Sequence, residues 1–171
     1  MESLEDLGDE RQIIFYDQLG CGKSDRPNDN SLWIAQRFVD ELQTIIKELK
    51  LKRFYLLGHS WGTSLAALYA LRNPVGLEGI IFVSPLFSTK RWIEDTDRLR
   101  KLLPADTQKV LTDNEMAGTT NSKEYGDASD IFNKNFVRRV EKTDSFKRAD
   151  NGFGETVYET MWGPSEFHCI G

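Results

Sequence analysis

Arg53-Phe54-Tyr55-Leu56-Leu57-Gly58-His59-Ser60-Trp61-Gly62 is the stretch on which the fold turns. Phe54–Leu57 is an apolar run of strand length. It ends in Gly58-His59-Ser60-Trp61-Gly62, a G-x-S-x-G. Thr63–Arg72 follows, rich in Ala and Leu and therefore helix-forming. Strand, sharp turn with a central serine, helix: in this context the pattern predicts a nucleophile elbow rather than a Gly-Ser loop that matches by chance.

The cause is steric. The central residue of an elbow is held in strained backbone, which lifts its hydroxyl clear of the sheet. Gly58 and Gly62 lack a Cβ and are expected to let strand and helix close on each other. The helix N-terminus then faces the reaction centre, and the Trp61 N–H becomes one donor of an oxyanion hole.

Working outward, Gln12–Tyr16 (Gln-Ile-Ile-Phe-Tyr) reads as a strand buried on both faces, the mark of a parallel sheet. Asp17–Pro27 is a turn-rich loop. Trp33, Ile34, Phe38, Val39, Leu42, Ile45, Ile46 and Leu49 recur at helical spacing, with Ser31 or Asn30 as the expected cap. The cations Lys47, Lys50, Lys52 and Arg53 fit the negative end of that helix. Gly79–Val83 is a third buried strand. Residues 11–85 therefore alternate strand and helix, an α/β pattern.

Beyond Pro85 the strand signals stop. Trp92, Ile93, Thr96, Leu99 and Leu103 have helical spacing, and Asp106–Met116 suits a second helix. Ala117–Asp130, with two glycines, reads as a loop. Ile131, Phe132, Phe136, Val137 and Val140 mark another helix, and Val157, Tyr158, Met161 and Trp162 a last short one. The expected organisation is an α/β section, 1–85, and a helical section, 86–171.

Composition bounds the function. The chain has 171 residues, 39% hydrophobic and 29% charged, ordinary for a globular protein with a real core. A net charge of −5 gives no reason to expect nucleic acid or an anionic membrane as partner. No apolar run reaches the ~18 residues of a membrane span. Met1-Glu2-Ser3-Leu4-Glu5-Asp6 is acidic and not a signal peptide. Cys21 and Cys169, far apart, suggest no disulfide framework, so a reducing, cytoplasmic setting is expected.

Two motifs mislead. Gly22-Lys23-Ser24 ends like a phosphate-binding loop, but the leading glycine should fall where Asp17 stands. His168-Cys169 resembles a metal pair, yet the chain holds too few His and Cys for a four-ligand zinc site, and no metal is expected. A serine nucleophile also needs a base and an orienting carboxylate. His59 adjoins Ser60 in a sharp turn, where neighbouring side chains diverge. His168 lies after Ser60 and is a possible base, but no strand precedes it to place it.

Three segments together carry a narrower resemblance: Phe15-Tyr16-Asp17-Gln18-Leu19-Gly20-Cys21-Gly22-Lys23-Ser24, the elbow, and Met161-Trp162-Gly163-Pro164-Ser165-Glu166-Phe167. Over essentially the whole chain the sequence resembles the proline iminopeptidases of the α/β-hydrolase superfamily. The resemblance implies a cofactor-free serine aminopeptidase that releases N-terminal proline from small peptides with a free N-terminus. It aligns Ser60 with the nucleophile, Trp61 with the oxyanion residue, and 86–171 with an incomplete cap domain. It also aligns Glu166 with a cap carboxylate that holds the substrate's α-ammonium, a pairing that suits a carboxylate beneath a lid. Without the resemblance, Glu166 reads as a solvated or capping carboxylate.

The departures from the family pattern bear on activity. Its H-G-G-P-G loop, the source of the second oxyanion donor, and its catalytic Asp and His have no counterpart here, so an internal fragment, inactive alone, is the expectation. His168 falls within the cap segment and is not the family's base. The sheet is expected to be partial, about three parallel strands with flanking helices. In this fold's strand order, another strand lies between Gln12–Tyr16 and the elbow strand, so those two either pair directly or leave a gap. An esterase of the same fold and a non-catalytic interaction protein are the alternative functions.

Overall fold

The structure, a computed structural model, describes residues 2–169. Met1, Ile170 and Gly171, at the ends of the two expected sections, lie outside the described residues. The chain gathers into two compact units, Pro27–Trp92 and Met1–Arg26 with Ile93–Ile170.

The first unit carries the sheet. Helix α1 is Ala35–Glu48, strand β1 Phe54–Ser60, helix α2 Trp61–Ala70 and strand β2 Leu77–Pro85. β1 and β2 pair in parallel, Leu56 opposite Ile80 and Gly58 opposite Phe82, with α2 as the crossover that parallel pairing requires. α1 buries Phe38, Val39, Leu42 and Ile46, the one-sided stripe its spacing predicts. Phe38 meets Trp61 edge-on at 6.1 Å, and Tyr69 of α2 tilts against Phe54 of β1 at 6.5 Å.

Three expectations for residues 11–85 fail. The sheet has two strands, not three. Among the described residues Gln12–Tyr16 joins no ladder: a strand exists only through a partner, and β1 pairs with β2. Of the alternatives for that edge, direct pairing is excluded. Nor is β2 buried: Ile81, Phe82 and Val83 are 51, 42 and 40% exposed. Their apolar character belongs to a sheet covered on both faces, and two strands with two helices cannot supply that cover. The cap differs as well. Neither Ser31 nor Asn30 caps α1; the Asp29 carboxylate instead accepts from the Ser31 N–H at 3.0 Å and closes a 3-10 turn ahead of α1.

In the second unit, α3 (Thr89–Arg100, begun in the first), α4 (Ala105–Ala117) and α5 (Lys123–Phe132) precede α6 (Asp144–Asn151) and α7 (Glu155–Met161). Leu103, Leu111, Tyr125, Ala128, Phe132 and Phe167 form its core. The expected loop over 117–130 is corrected: α5 begins inside it. Gly118 and Gly126 suggested loop, but Gly118 ends α4 with φ 68° while Gly126 lies inside α5. The Ser122 hydroxyl caps the new helix at the Tyr125 N–H, and Tyr125, Ala128 and Phe132 recur on its buried face. The helix expected from Ile131 to Val140 is the end of α5 plus a single π-turn, Asn133–Val137. α6, capped by Thr143, has no buried residue and left no apolar stripe to read.

Candidate active site: a strained serine elbow and a buttressed carboxylate

Ser60 ends β1 with φ 51° and ψ −120°, a conformation that costs an L-residue about 1–3 kcal/mol. Its surroundings hold it there. A Cβ on Gly58 would fall 2.2 Å from the Gly62 carbonyl oxygen and 2.7 Å from the Thr63 nitrogen, so only glycine lets strand and helix cross this closely. Thr63 is fully buried. Its hydroxyl donates to the Ser60 carbonyl at 2.6 Å and accepts from the Leu86 N–H at 2.9 Å. The Ser64 hydroxyl donates to the Leu86 carbonyl. The chain leaving β2, itself bent at Ser84 (φ 48°), is thereby bound to the elbow.

Gly62 behaves otherwise than expected. A Cβ there would meet nothing within 4 Å, so the close approach rests on Gly58 alone. Trp61 opens α2, at the positive end of its dipole. Ser60 is exposed, and among the described residues no hydrogen bond engages its hydroxyl. His59, beside it, is also exposed. An exposed hydroxyl on strained backbone at a helix N-terminus is one part of what a serine nucleophile needs; a base and its orienting carboxylate are the others.

Glu166 belongs to the other unit. Residues 163–167 are fixed by burial on either side of it. Ser165 is 7% exposed, and the Phe167 ring stands edge-on to Phe132 at 4.7 Å beneath the Arg100 guanidinium at 5.0 Å. Arg100 forks onto Glu115 through bonds of 3.0 and 3.1 Å, and the Tyr125 hydroxyl donates to the same carboxylate at 3.0 Å. Burial pushes the Tyr125 phenol well up, and a hydrogen bond with Ser165 partly offsets it.

Between buried neighbours Glu166 turns outward, and Tyr158 of α7 donates to its Oε1 at 2.9 Å. Surrounding protein raises the Glu166 pKa, while the Tyr158 hydrogen bond lowers it. The residue as a whole is exposed, so water moderates the shift. Tyr158 is pushed far up by burial and by the Glu166 charge. The Cys169 thiol is pushed up to about 11, by burial first and Glu166 second. A carboxylate backed by a phenol donor and edged by raised acids suits a cation as its partner. His168, next along, is exposed and donates its N–H to the Ser165 carbonyl at 3.3 Å.

Sequence reading missed the residues that hold both features. Thr63, Tyr125, Tyr158 and Arg100 carry no motif. The available signals were the helical spacing of Tyr158 and that of Tyr125 with Ala128 and Phe132. Among the described residues no three His, Cys, Asp or Glu side chains gather as a metal site would need.

A proline iminopeptidase of Heyndrickxia coagulans is 46% identical over 98% of this chain and 59% of its own length. A second, of Lactobacillus helveticus, is 36% identical over 97% of this chain and 58% of its own. Among solved structures, the proline iminopeptidase of Mycobacterium smegmatis superposes with a TM-score of 0.85 at 37% identity, covering 99% of this chain and 59% of that one. VinJ superposes with a TM-score of 0.90 at 36% identity, covering 99% and 58%. The chain thus spans somewhat under two thirds of the length of these relatives. The sequence profile of the alpha/beta hydrolase fold matches residues 1–141, elbow included, and the chain belongs to that family.

Proposed function

We propose that these residues are part of a serine aminopeptidase of the proline iminopeptidase type, which releases N-terminal proline from small peptides. One observation carries the reading: Ser60 is held at φ 51° between a parallel strand and a helix N-terminus, with its hydroxyl exposed. In this reading Ser60 Oγ attacks the carbonyl carbon of the first peptide bond. The Trp61 N–H stabilises the oxyanion that forms. The Glu166 carboxylate pairs with the substrate's α-ammonium and so selects free N-termini. Residues 1–85 are core and 86–171 cap, the setting is cytoplasmic, and the reaction uses no cofactor.

The base that takes the Ser60 proton, and the carboxylate that orients it, come from the part of the family fold these residues do not span. The 171 residues alone are therefore a poor catalyst, keeping at best the residue of activity left when a triad is removed. A fluorophosphonate probe is expected to label Ser60 in a polypeptide completed to the relatives' full length, which hydrolyses a proline aryl-amide. Normal turnover by the 171 residues alone, abolished by Ser60→Ala, would overturn the division of labour and return His168 to candidacy. Equal activity on N-acylated substrates would favour an esterase-like hydrolase.

A further inference from the structure

We propose that the glycine-rich loop Asp17–Arg26 is a positioning device for the Glu166 carboxylate, acting through the turn Gly152–Gly154 and the side chain of Tyr158. The inference rests on the reading of Glu166 as the amine anchor. It concerns one compact unit throughout.

The loop does not cradle an anion, because it already holds its own. The Asp17 carboxylate accepts from the Lys23 N–H at 2.9 Å, and the Ser24 hydroxyl donates to the Asp17 carbonyl at 2.6 Å. Gly22 has φ 53°, and a Cβ there would fall 2.2 Å from the Asp17 carboxyl carbon. What remains of the loop faces the turn between α6 and α7. The Gly22 N–H donates to the Gly152 carbonyl at 2.8 Å. Arg26 forks onto the same turn, Nη2 to the Gly152 carbonyl at 2.9 Å and Nη1 to the Phe153 carbonyl at 3.1 Å. A cation on carbonyls just past a helix C-terminus is favourably placed. The backbones are also locked by shape: a Cβ on Gly154 would fall 2.6 Å from the Gly20 carbonyl oxygen and 2.7 Å from Cys21 Sγ.

That turn begins α7, which has no side-chain cap of its own. The Tyr158 N–H donates to the Gly154 carbonyl at 2.9 Å, and its ring tilts against Phe153 at 5.3 Å. The Tyr158 hydroxyl then meets Glu166. Arg26, Phe153, Tyr158 and Glu166 form a contiguous series of contacts, the physical form coupling takes in a packed protein. The acidic groups facing Glu166 are the Tyr158 phenol and the Cys169 thiol.

The test is a carbon-detected NMR titration of the Glu166 carboxylate in the whole chain. Tyr158→Phe is expected to move the midpoint upward, because the lost hydroxyl stabilised the charged form. Arg26→Met is expected to move it the same way. Arg26→Lys, which keeps the charge but not the fork, should behave like Arg26→Met. In the double variant Arg26→Met/Tyr158→Phe, the Arg26 change should add nothing. An unchanged midpoint in Arg26→Met overturns the inference. So does an effect that persists undiminished beside Tyr158→Phe, since that is the loss of direct charge attraction and not positioning. Gly154→Ala, which pushes the turn off the loop, repeats the test without altering charge. Separately, calorimetric binding of proline amide against N-acetylproline amide, in wild type and Glu166→Gln, tests the anchor itself. Loss of amine preference in Glu166→Gln supports it. Unchanged preference overturns the anchor reading whatever the titration shows.

Discussion

Replacing each glycine of the elbow by alanine separates the residue that permits the turn from the one that merely matches the motif. At Gly58 the added methyl falls 2.2 Å from the Gly62 carbonyl oxygen, 2.4 Å from its carbon and 2.7 Å from the Thr63 nitrogen. All three are backbone atoms at the start of α2, so no side-chain rotation relieves the clash. Overpacking costs about 1–3 kcal/mol, and an unyielding backbone puts Gly58→Ala near the upper end. At Gly62 the methyl meets nothing within 4 Å, and alanine in a helix gains about 0.5–1 kcal/mol over glycine. The two substitutions should therefore differ by roughly 3–4 kcal/mol in opposite directions. For a chain of this size, roughly 2–4 °C per kcal/mol, Gly58→Ala lowers Tm by about 6–12 °C and Gly62→Ala raises it slightly. Circular dichroism melts read the shift, and hydrogen exchange of the Trp61–Ala70 amides assigns it to the elbow. Equal destabilisation by both, or a greater loss at Gly62, would refute the geometry.

Two further outcomes follow from the same contacts. Ser60→Gly removes backbone strain of about 1–3 kcal/mol at an entropic cost of about 0.5–1 kcal/mol, so Tm should rise by a few degrees while fluorophosphonate labelling in the completed polypeptide is lost; a fall in Tm would deny the strain. Burial holds the Glu166 pKa in the fold above its usual 4.5, so the stability it contributes is full below pH 4.5 and is lost as pH rises through the folded value. Glu166→Gln should then be the more stable protein near pH 8, with the gap closing below pH 4.5, and Cys169 should alkylate faster as the neighbouring charge disappears; a gap independent of pH would reject that sign.

The elbow was readable because its determinants are consecutive. An apolar run, Gly58, Ser60 and an Ala-Leu helix stand in order, and parallel pairing of β1 with β2 follows from the crossover between them. The mistaken strand at Gln12–Tyr16 has an equally clear origin. Its composition is that of a strand, but composition cannot report whether a partner lies alongside, and ladder hydrogen bonds are made with a partner. α5 was missed for the opposite reason: Gly126 argued against a helix whose Ser122 cap and Tyr125, Ala128 and Phe132 face argued for one. Glu166 could be marked only through resemblance. The residues that hold it, Tyr158 apart, lie far off in sequence and are chemically unremarkable there.

The two halves of the proposed chemistry are maintained by separate sets of contacts. Ser60 is held by Gly58, Thr63 and Leu86, all within Pro27–Trp92. Glu166 is held by Tyr158, Phe132 and Arg100 through its neighbours, all within the other unit. Contacts that share no partner contribute additively. Under the proposed function, nucleophile reactivity and preference for a free amine are expected to be separable properties. A Thr63 or Gly58 variant should lose probe labelling and keep amine preference, and a Tyr158 or Arg26 variant should do the reverse. Under the proposed function, an elbow matching a whole superfamily says little about substrate, because the serine is held by its own strand and helix while selectivity is assigned to a carboxylate that other helices hold.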